Sequence, residues 1–247
     1  MKILEYIGRS TVKVCLMLLC CITVIISLQG AKADAAPSTS HLTPAEIALI
    51  QSLSPQKIST RNDVVFSFKQ LTNQSEQVID RGNRAKILVA LKRTDLSAEA
   101  RSIILAIPTQ TKIGASRGVF IQKRIASSTA SCQYADIAHG YIQETNVAGI
   151  VVWSYDVKQP FNVGNPNKNG PTVCSFGARN PTFFANELLT WKNGGETWSR
   201  ADAPDNEITE INKAFFNPGY GFLPGEVGRI SLFMYGGGYW DVSVGIE

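Results

Sequence analysis

Histidine is almost missing from this chain: its 247 residues include only His41 and His139. A Ser–His–Asp hydrolase needs a histidine as its base, so these two positions bound that chemistry. His41 lies in a small, polar stretch. His139 falls in Asp136-Ile137-Ala138-His139-Gly140-Tyr141, a strand-like run in which it is expected to be a structural hydrogen-bonder. No catalytic residue is expected. Cysteine is nearly as scarce, five in all, and Cys15, Cys20 and Cys21 crowd near the N-terminus. The remaining two cysteines and two histidines show no paired spacing, so neither a metal nor a cofactor is expected. The chain also lacks a Lys/Arg cluster, which argues against nucleic acid as a partner. It has no internal repeat, and no apolar run of membrane-spanning length after residue 28.

What is present starts with a secretory pattern. Lys2, Arg9 and Lys13 are followed by the apolar run 15–28 and then by Gly30-Ala31-Lys32-Ala33-Asp34-Ala35-Ala36. Basic, apolar and small-residue segments in that order predict a cleavable signal peptide. A retained anchor needs about 20 apolar residues, more than this run supplies. Residues 1–35 are therefore expected to be a leader, cut after Ala33 or Ala35, and the mature chain to be secreted or periplasmic. Losing Lys2, Arg9, Lys13, Lys32 and Glu5 removes four positive charges and one negative, so the net charge drops from +4 to about +1. Cys132 and Cys174 remain as a pair in an oxidising compartment and are expected to be joined, the alternative being two buried free thiols. Such a bridge stabilises by about 2–4 kcal/mol, chiefly by constraining the unfolded chain.

Residues 36–62 are read as a linker with a short N-terminal helix, and residues 63–247 as one domain. Thr43 as N-cap, Pro44 at the first helical position and Glu46 completing a capping box start that helix. Pro55 ends it after about Leu53. A second helix is expected over 64–79, where Val64, Phe68, Leu71, Val78 and Ile79 share a face, although residues 64–68 alone also fit a strand. From Arg84 the apolar period becomes two. Strands are expected at 87–91, 103–107, 119–121, 135–143 and 148–154, a long loop at 159–171, and a short helix at 182–191. Gly236-Gly237-Gly238 lacks the following helix of a phosphate loop and instead closes a hairpin of 230–235 with 239–246. The expected fold is mainly β, a two-layer β-sandwich flanked by one or two helices.

Asp202, Asp205, Glu207 and Glu210 cluster in sequence, as the paired carboxylates of a glycoside hydrolase would. Their polar, proline-containing surroundings read instead as a solvated loop. The aromatics are more informative. All four tryptophans lie after residue 150. Trp153, Ser154, Tyr155, Phe161, Trp191 and Trp198 neighbour loop-forming residues and are the expected lipid- or ligand-binding set. Aromatic rings at loop tips suit membrane interfaces or sugar rings, being apolar on one edge and polar on the other. Burial as core or rim residues of a sandwich is the alternative.

Several segments resemble one family. Asn83 to Leu91 (NRAKILVAL) looks like the first strand after the N-terminal helix of the actinoporins, pore-forming cytolysins, and residues 64–82 sit where their amphipathic helix lies. Gly118 to Arg124 is similar to a later strand, and Gly149 to Asp156 (GIVVWSYD) to the strand entering their aromatic membrane-binding loop. Phe184 to Trp191 (FANELLTW) resembles their short second helix. The resemblance covers roughly residues 64–247. It implies that Trp153, Tyr155, Phe161 and Trp191 bind membrane lipid headgroups, while an N-terminal segment detaches and lines a pore in a membrane-bound homo-oligomer. Residues 43–53 make only roughly 16 Å of helix against a hydrocarbon core near 30 Å, so the spanning role falls to residues 64–82. Fungal fruit-body lectins share a similar sandwich, so the alternative is a secreted lectin-like module that binds glycans through the same loops. A secreted glycoside hydrolase using Asp202, Asp205 or Glu207 is the third reading.

Overall fold

The computed structural model describes residues 41–55, 63–68, 74–117, 132–164, 172–202 and 207–247. Helix α1 (Pro44–Leu53) begins as its capping chemistry dictates. Glu46 Oε2 accepts from the Thr43 N–H at 2.9 Å, and Thr43 Oγ1 accepts from the Glu46 N–H at 3.3 Å. The segment expected to be a second helix is two strands, β1 (Val64–Ser67) and β2 (Gln74–Asp80). Phe66 and Phe68 lie two residues apart and are both buried, the period of a strand rather than a helix.

The opposite substitution occurs next. Residues 87–91 and 103–105 of the expected strands belong to helices α2 (Arg84–Leu91) and α3 (Ala98–Leu105), with Ala106 as the C-cap of the second and Ile107 just beyond it. Ile87 and Ala90 are buried three residues apart while Leu88 and Val89 are exposed, a helical stripe. Ser97 caps α3, accepting the Ala100 N–H at 3.1 Å. Ile50, Leu53, Ile87, Ala90, Ala100, Ile103 and Ile104 form a core separate from that of the strands. The described residues therefore hold three helices where one or two were expected.

The strands form two antiparallel sheets, a β-sandwich. One runs β1, β11 (Trp240–Ile246), β10 (Glu226–Tyr235), β9 (Glu207–Pro218), β8 (Trp191–Asp202) from edge to edge. The other runs β2, β3 (Pro108–Arg117), β4 (Cys132–Asn146), β5 (Val151–Gly164), β6 (Thr172–Phe176), and β7 (Asn180–Ala185) also pairs with β5. The hairpin expected at Gly236-Gly237-Gly238 joins β10 to β11, with Gly238 at φ +79°. Strand β5 occupies residues 159–164 of the expected loop, and residues 182–191 hold the end of β7 and a single 3₁₀ turn, Glu187–Leu189, in place of a helix. The strand expected at 119–121 lies outside the described residues, as do the side chains of Cys132 and Cys174 and with them the expected disulfide.

The sheets pack face to face, with Trp153 of β5 stacked on Phe216 of β9 at 4.3 Å, while Phe68 stacks on its ladder neighbour Trp240 at 4.0 Å within one sheet. They approach closely at Gly140, where a Cβ would meet Ile230 and Val242 of the facing sheet at 2.7 and 2.8 Å. The helices gather where β3 begins, and the Trp191 indole donates to the Ala106 carbonyl at 2.9 Å across that junction.

Candidate functional site

Alternation along β5 decides the fate of the expected binding residues. Trp153, Tyr155, Val157 and Phe161 take the inward positions and are buried, and Trp191 at the start of β8 is buried as well. Their polar handles are satisfied internally. Trp153 Nε1 donates to Glu226 at 2.9 Å, and the Tyr155 hydroxyl donates to Glu196 at 2.5 Å. The expected exposed rim of Trp153, Tyr155, Phe161 and Trp191 is therefore not formed. Ser154 is half-buried on the opposite face, and Trp198 alone of the six is largely exposed, at 52%. It stands on edge strand β8 with the guanidiniums of Arg179 and Arg200 over its ring, 5.0 and 5.6 Å from the centroid.

The carboxylate cluster also separates. Glu210 is fully buried on β9 and pairs with Arg200 at 2.8 Å, which corrects its assignment to a solvated loop. Asp202 is exposed at the end of β8, Glu207 starts β9 half-buried, and Asp205 lies outside the described residues. His139 hydrogen-bonds through both ring nitrogens, to Ser116 and to Asp156.

Exposed apolar side chains are spread over several elements, Val65, Val78 and Val89 among them, and one group of them lies around the β4–β5 turn. Asn146 Oδ1 accepts the N–H groups of Ala148 and Ile150 at 3.0 and 2.9 Å, and Gly149 at φ +77° completes the β4–β5 turn. This turn leaves Ile150 50% exposed. Asn186, just past β7, is held against it, donating from its backbone to Val152 O at 2.9 Å and from its side chain to Val151 O at 3.0 Å. The 3₁₀ turn follows, and Thr190 reverses the chain at φ +66°, a left-handed conformation that costs a non-glycine residue energy. The reversal sends Trp191 inward and leaves Leu188 92% exposed, while Phe184 on β7 is 45% exposed. Ile150, Phe184 and Leu188 thus stand on two neighbouring segments, 149–156 and 184–191, which β5–β7 pairing holds side by side.

Close to the β4–β5 turn lies a sealed charge network. Arg81 pairs with Glu144 at 3.0 Å and Glu226 at 2.7 Å, and Thr111 donates to Glu144. Burial pushes the Glu144 carboxyl up to about 8, with the Glu226 charge adding to the rise and Arg81 opposing it. The nearby cavity, bordered by Pro55, Ala106, Trp191, Pro218 and Glu226, measures about 20 Å³, space for a water and not for a substrate. Among the described residues no group of three or more His, Cys, Asp or Glu is placed to hold a metal ion, and no helix is long and apolar enough to cross a membrane. No family model, no curated protein and no solved structure matches this chain.

Proposed function

We propose that this is an exported protein that docks on membrane lipid, with Ile150, Phe184 and Leu188 as the docking tip. The observation that carries the reading is Leu188, a large aliphatic side chain left 92% exposed at a turn whose strained Thr190 holds it outward. Fully burying an exposed side chain of this kind is worth about 1.5–3 kcal/mol, and Ile150 and Phe184, each about half exposed, add part of that again. Lipid acyl chains accept aliphatic side chains without the matched shape a protein partner requires.

The pore-forming step of a cytolysin has less support. Residues 64–67 and 74–80 are hydrogen-bonded into different sheets, so releasing them would break two ladders. The lectin-like alternative keeps one exposed ring, Trp198, with arginines over it. The test is co-sedimentation of the mature chain, residues 36–247, with phosphatidylcholine–sphingomyelin vesicles. Binding that falls about tenfold or more when Ile150, Phe184 and Leu188 are all changed to Ser supports docking. Wild-type protein that stays in the supernatant, or a triple variant that binds equally, overturns it. Dye release from the same vesicles tests the oligomeric pore. Binding to a glycan array that is lost in Trp198→Ala, with vesicles left uncoated, selects the lectin-like reading.

A further inference from the structure

The outward face of the sheet containing β4 carries a second group of side chains that lipid docking does not use. Strand register sets Gln74, Ser116, His139 and Lys158 directly opposite one another across β2, β3, β4 and β5. The adjacent row is Glu76, Gly114, Tyr141 and Asp156. Side chains two apart on a strand share a face, so the two rows make one polar patch, while Ile113, Ala115, Ala138, Tyr155 and Val157 point the other way into the core.

Within the patch Ser116 Oγ lies 2.6 Å from His139 Nδ1, and His139 Nε2 is hydrogen-bonded to Asp156 Oδ2. An ionised carboxylate can only accept. Asp156 therefore places the imidazole proton on Nε2 and leaves the Nδ1 lone pair facing the serine hydroxyl. Nucleophile, base and orienting acid stand in the order that acyl transfer needs, an arrangement recognised by geometry rather than by chain order. Gly114 makes room for Tyr141, since a Cβ there would run into its ring. That ring packs 5.8 Å from the imidazole, and its hydroxyl donates to Glu76 at 2.6 Å. Gln74 stands opposite Ser116 on the side away from His139, its Nε2 donating to the Tyr141 hydroxyl at 3.5 Å.

The sequence carries a matching sign that the expectation of no catalytic residue passed over. Gly114-Ala115-Ser116-Arg117-Gly118 has Gly-x-Ser-x-Gly spacing. Ser116 lies within strand β3 and not at a strand-to-helix turn, so cross-strand pairing, not a nucleophile elbow, presents it.

We propose that Ser116, His139 and Asp156 form a hydrolytic site for carboxylic esters. Ser116 Oγ bonds to the acyl carbon as its proton passes to His139 Nδ1. The ester C–O bond then breaks, and the alcohol leaves with that proton. Water, deprotonated by His139, attacks the acyl-serine, releases the carboxylic acid and restores the Ser116 hydroxyl. The site lies flat on a sheet face with polar neighbours, which suits small, acetate-sized acyl groups carried on a polar alcohol.

The test uses the mature chain with two probes, a fluorophosphonate and p-nitrophenyl acetate. The fluorophosphonate is expected to attach to Ser116, located by peptide mass spectrometry on unaltered protein, a readout that no misfolded variant can imitate. Hydrolysis of p-nitrophenyl acetate is expected to fall about 100-fold or more in Ser116→Ala and in His139→Gln. Absence of label on Ser116 in the unaltered protein, or Ser116→Ala hydrolysing as fast as the unaltered chain, overturns the proposal.

Discussion

Glu46 in the helical layer and Glu144 in the sandwich are the same residue type, yet their carboxyls are displaced in opposite directions. The backbone N–H groups of Thr43 and Ser97, with hydroxyls from the same two residues, lower Glu46 from 4.5 to about 2. Burial raises Glu144 to about 8 even though Arg81 lies beside it. A helix N-terminus brings several unpaired donors to one carboxylate. The sandwich interior strips water from Glu144 and Glu226 and gives the pair one guanidinium as a shared counter-charge, with Thr111 and Trp153 adding neutral donors. Loss of water sets the upward direction at Glu144, and hydrogen-bond donors set the downward one at Glu46. Linkage then separates the two layers on the pH axis. Glu46, displaced downward, contributes stability that is present above 4.5 and lost as pH falls from there toward 2. Glu144, displaced upward, lets the folded state hold more protons between 4.5 and 8, so stability falls as pH rises through that window.

Removing the shared guanidinium is the largest test of this contrast. Arg81→Met leaves the buried Glu144 and Glu226 without their shared cation and is expected to cost about 3–5 kcal/mol in urea unfolding at pH 7.5. A loss under about 1 kcal/mol would show that water reaches the network. Next comes Glu144→Gln, which is expected to flatten the decline of Tm between pH 5 and pH 8, and equal slopes for variant and unaltered chain would contradict the raised carboxyl. A smaller change is expected in the helical layer. Glu46→Gln lowers Tm at pH 6 and has little effect at pH 2, where the carboxyl is already partly protonated, so a Tm difference that grows on acidification would reverse the assignment. Least of all, Leu188→Ser is expected to alter stability by no more than about 0.5 kcal/mol, because its side chain has almost no contacts to lose. A larger drop would mean that the tip belongs to the core.

Elements governed by near neighbours were legible from the residues alone. The capping box at Thr43 and Glu46, the Gly236-Gly237-Gly238 hairpin and the sandwich itself match the expectations drawn for them. Short apolar runs were not, since an apolar run of five residues such as Ile87-Leu88-Val89-Ala90-Leu91 fits either a strand or a helix until its packing partners are known. The aromatics misled for a related reason. Standing next to turn-forming residues does not tell which way a ring points. Once residues 151–164 form one strand, Trp153 and Tyr155 are committed to the inward side and cannot form a docking rim.

Ser116, His139 and Asp156 show the same limit from the other direction. They are separated by 23 and 17 residues along the chain, and nothing local links them. Composition and short-range pattern determined that this chain is rich in strands, where its first described helix begins and where its last hairpin turns, because caps and turns are settled by residues a few positions apart. Tertiary structure alone decided that the tryptophans turn inward, that Leu188 is pushed out, and that a serine, a histidine and an aspartate meet on one face. The reason is register: side-chain direction in a sheet follows the pairing of distant strands, and a shift of one residue would exchange the two faces.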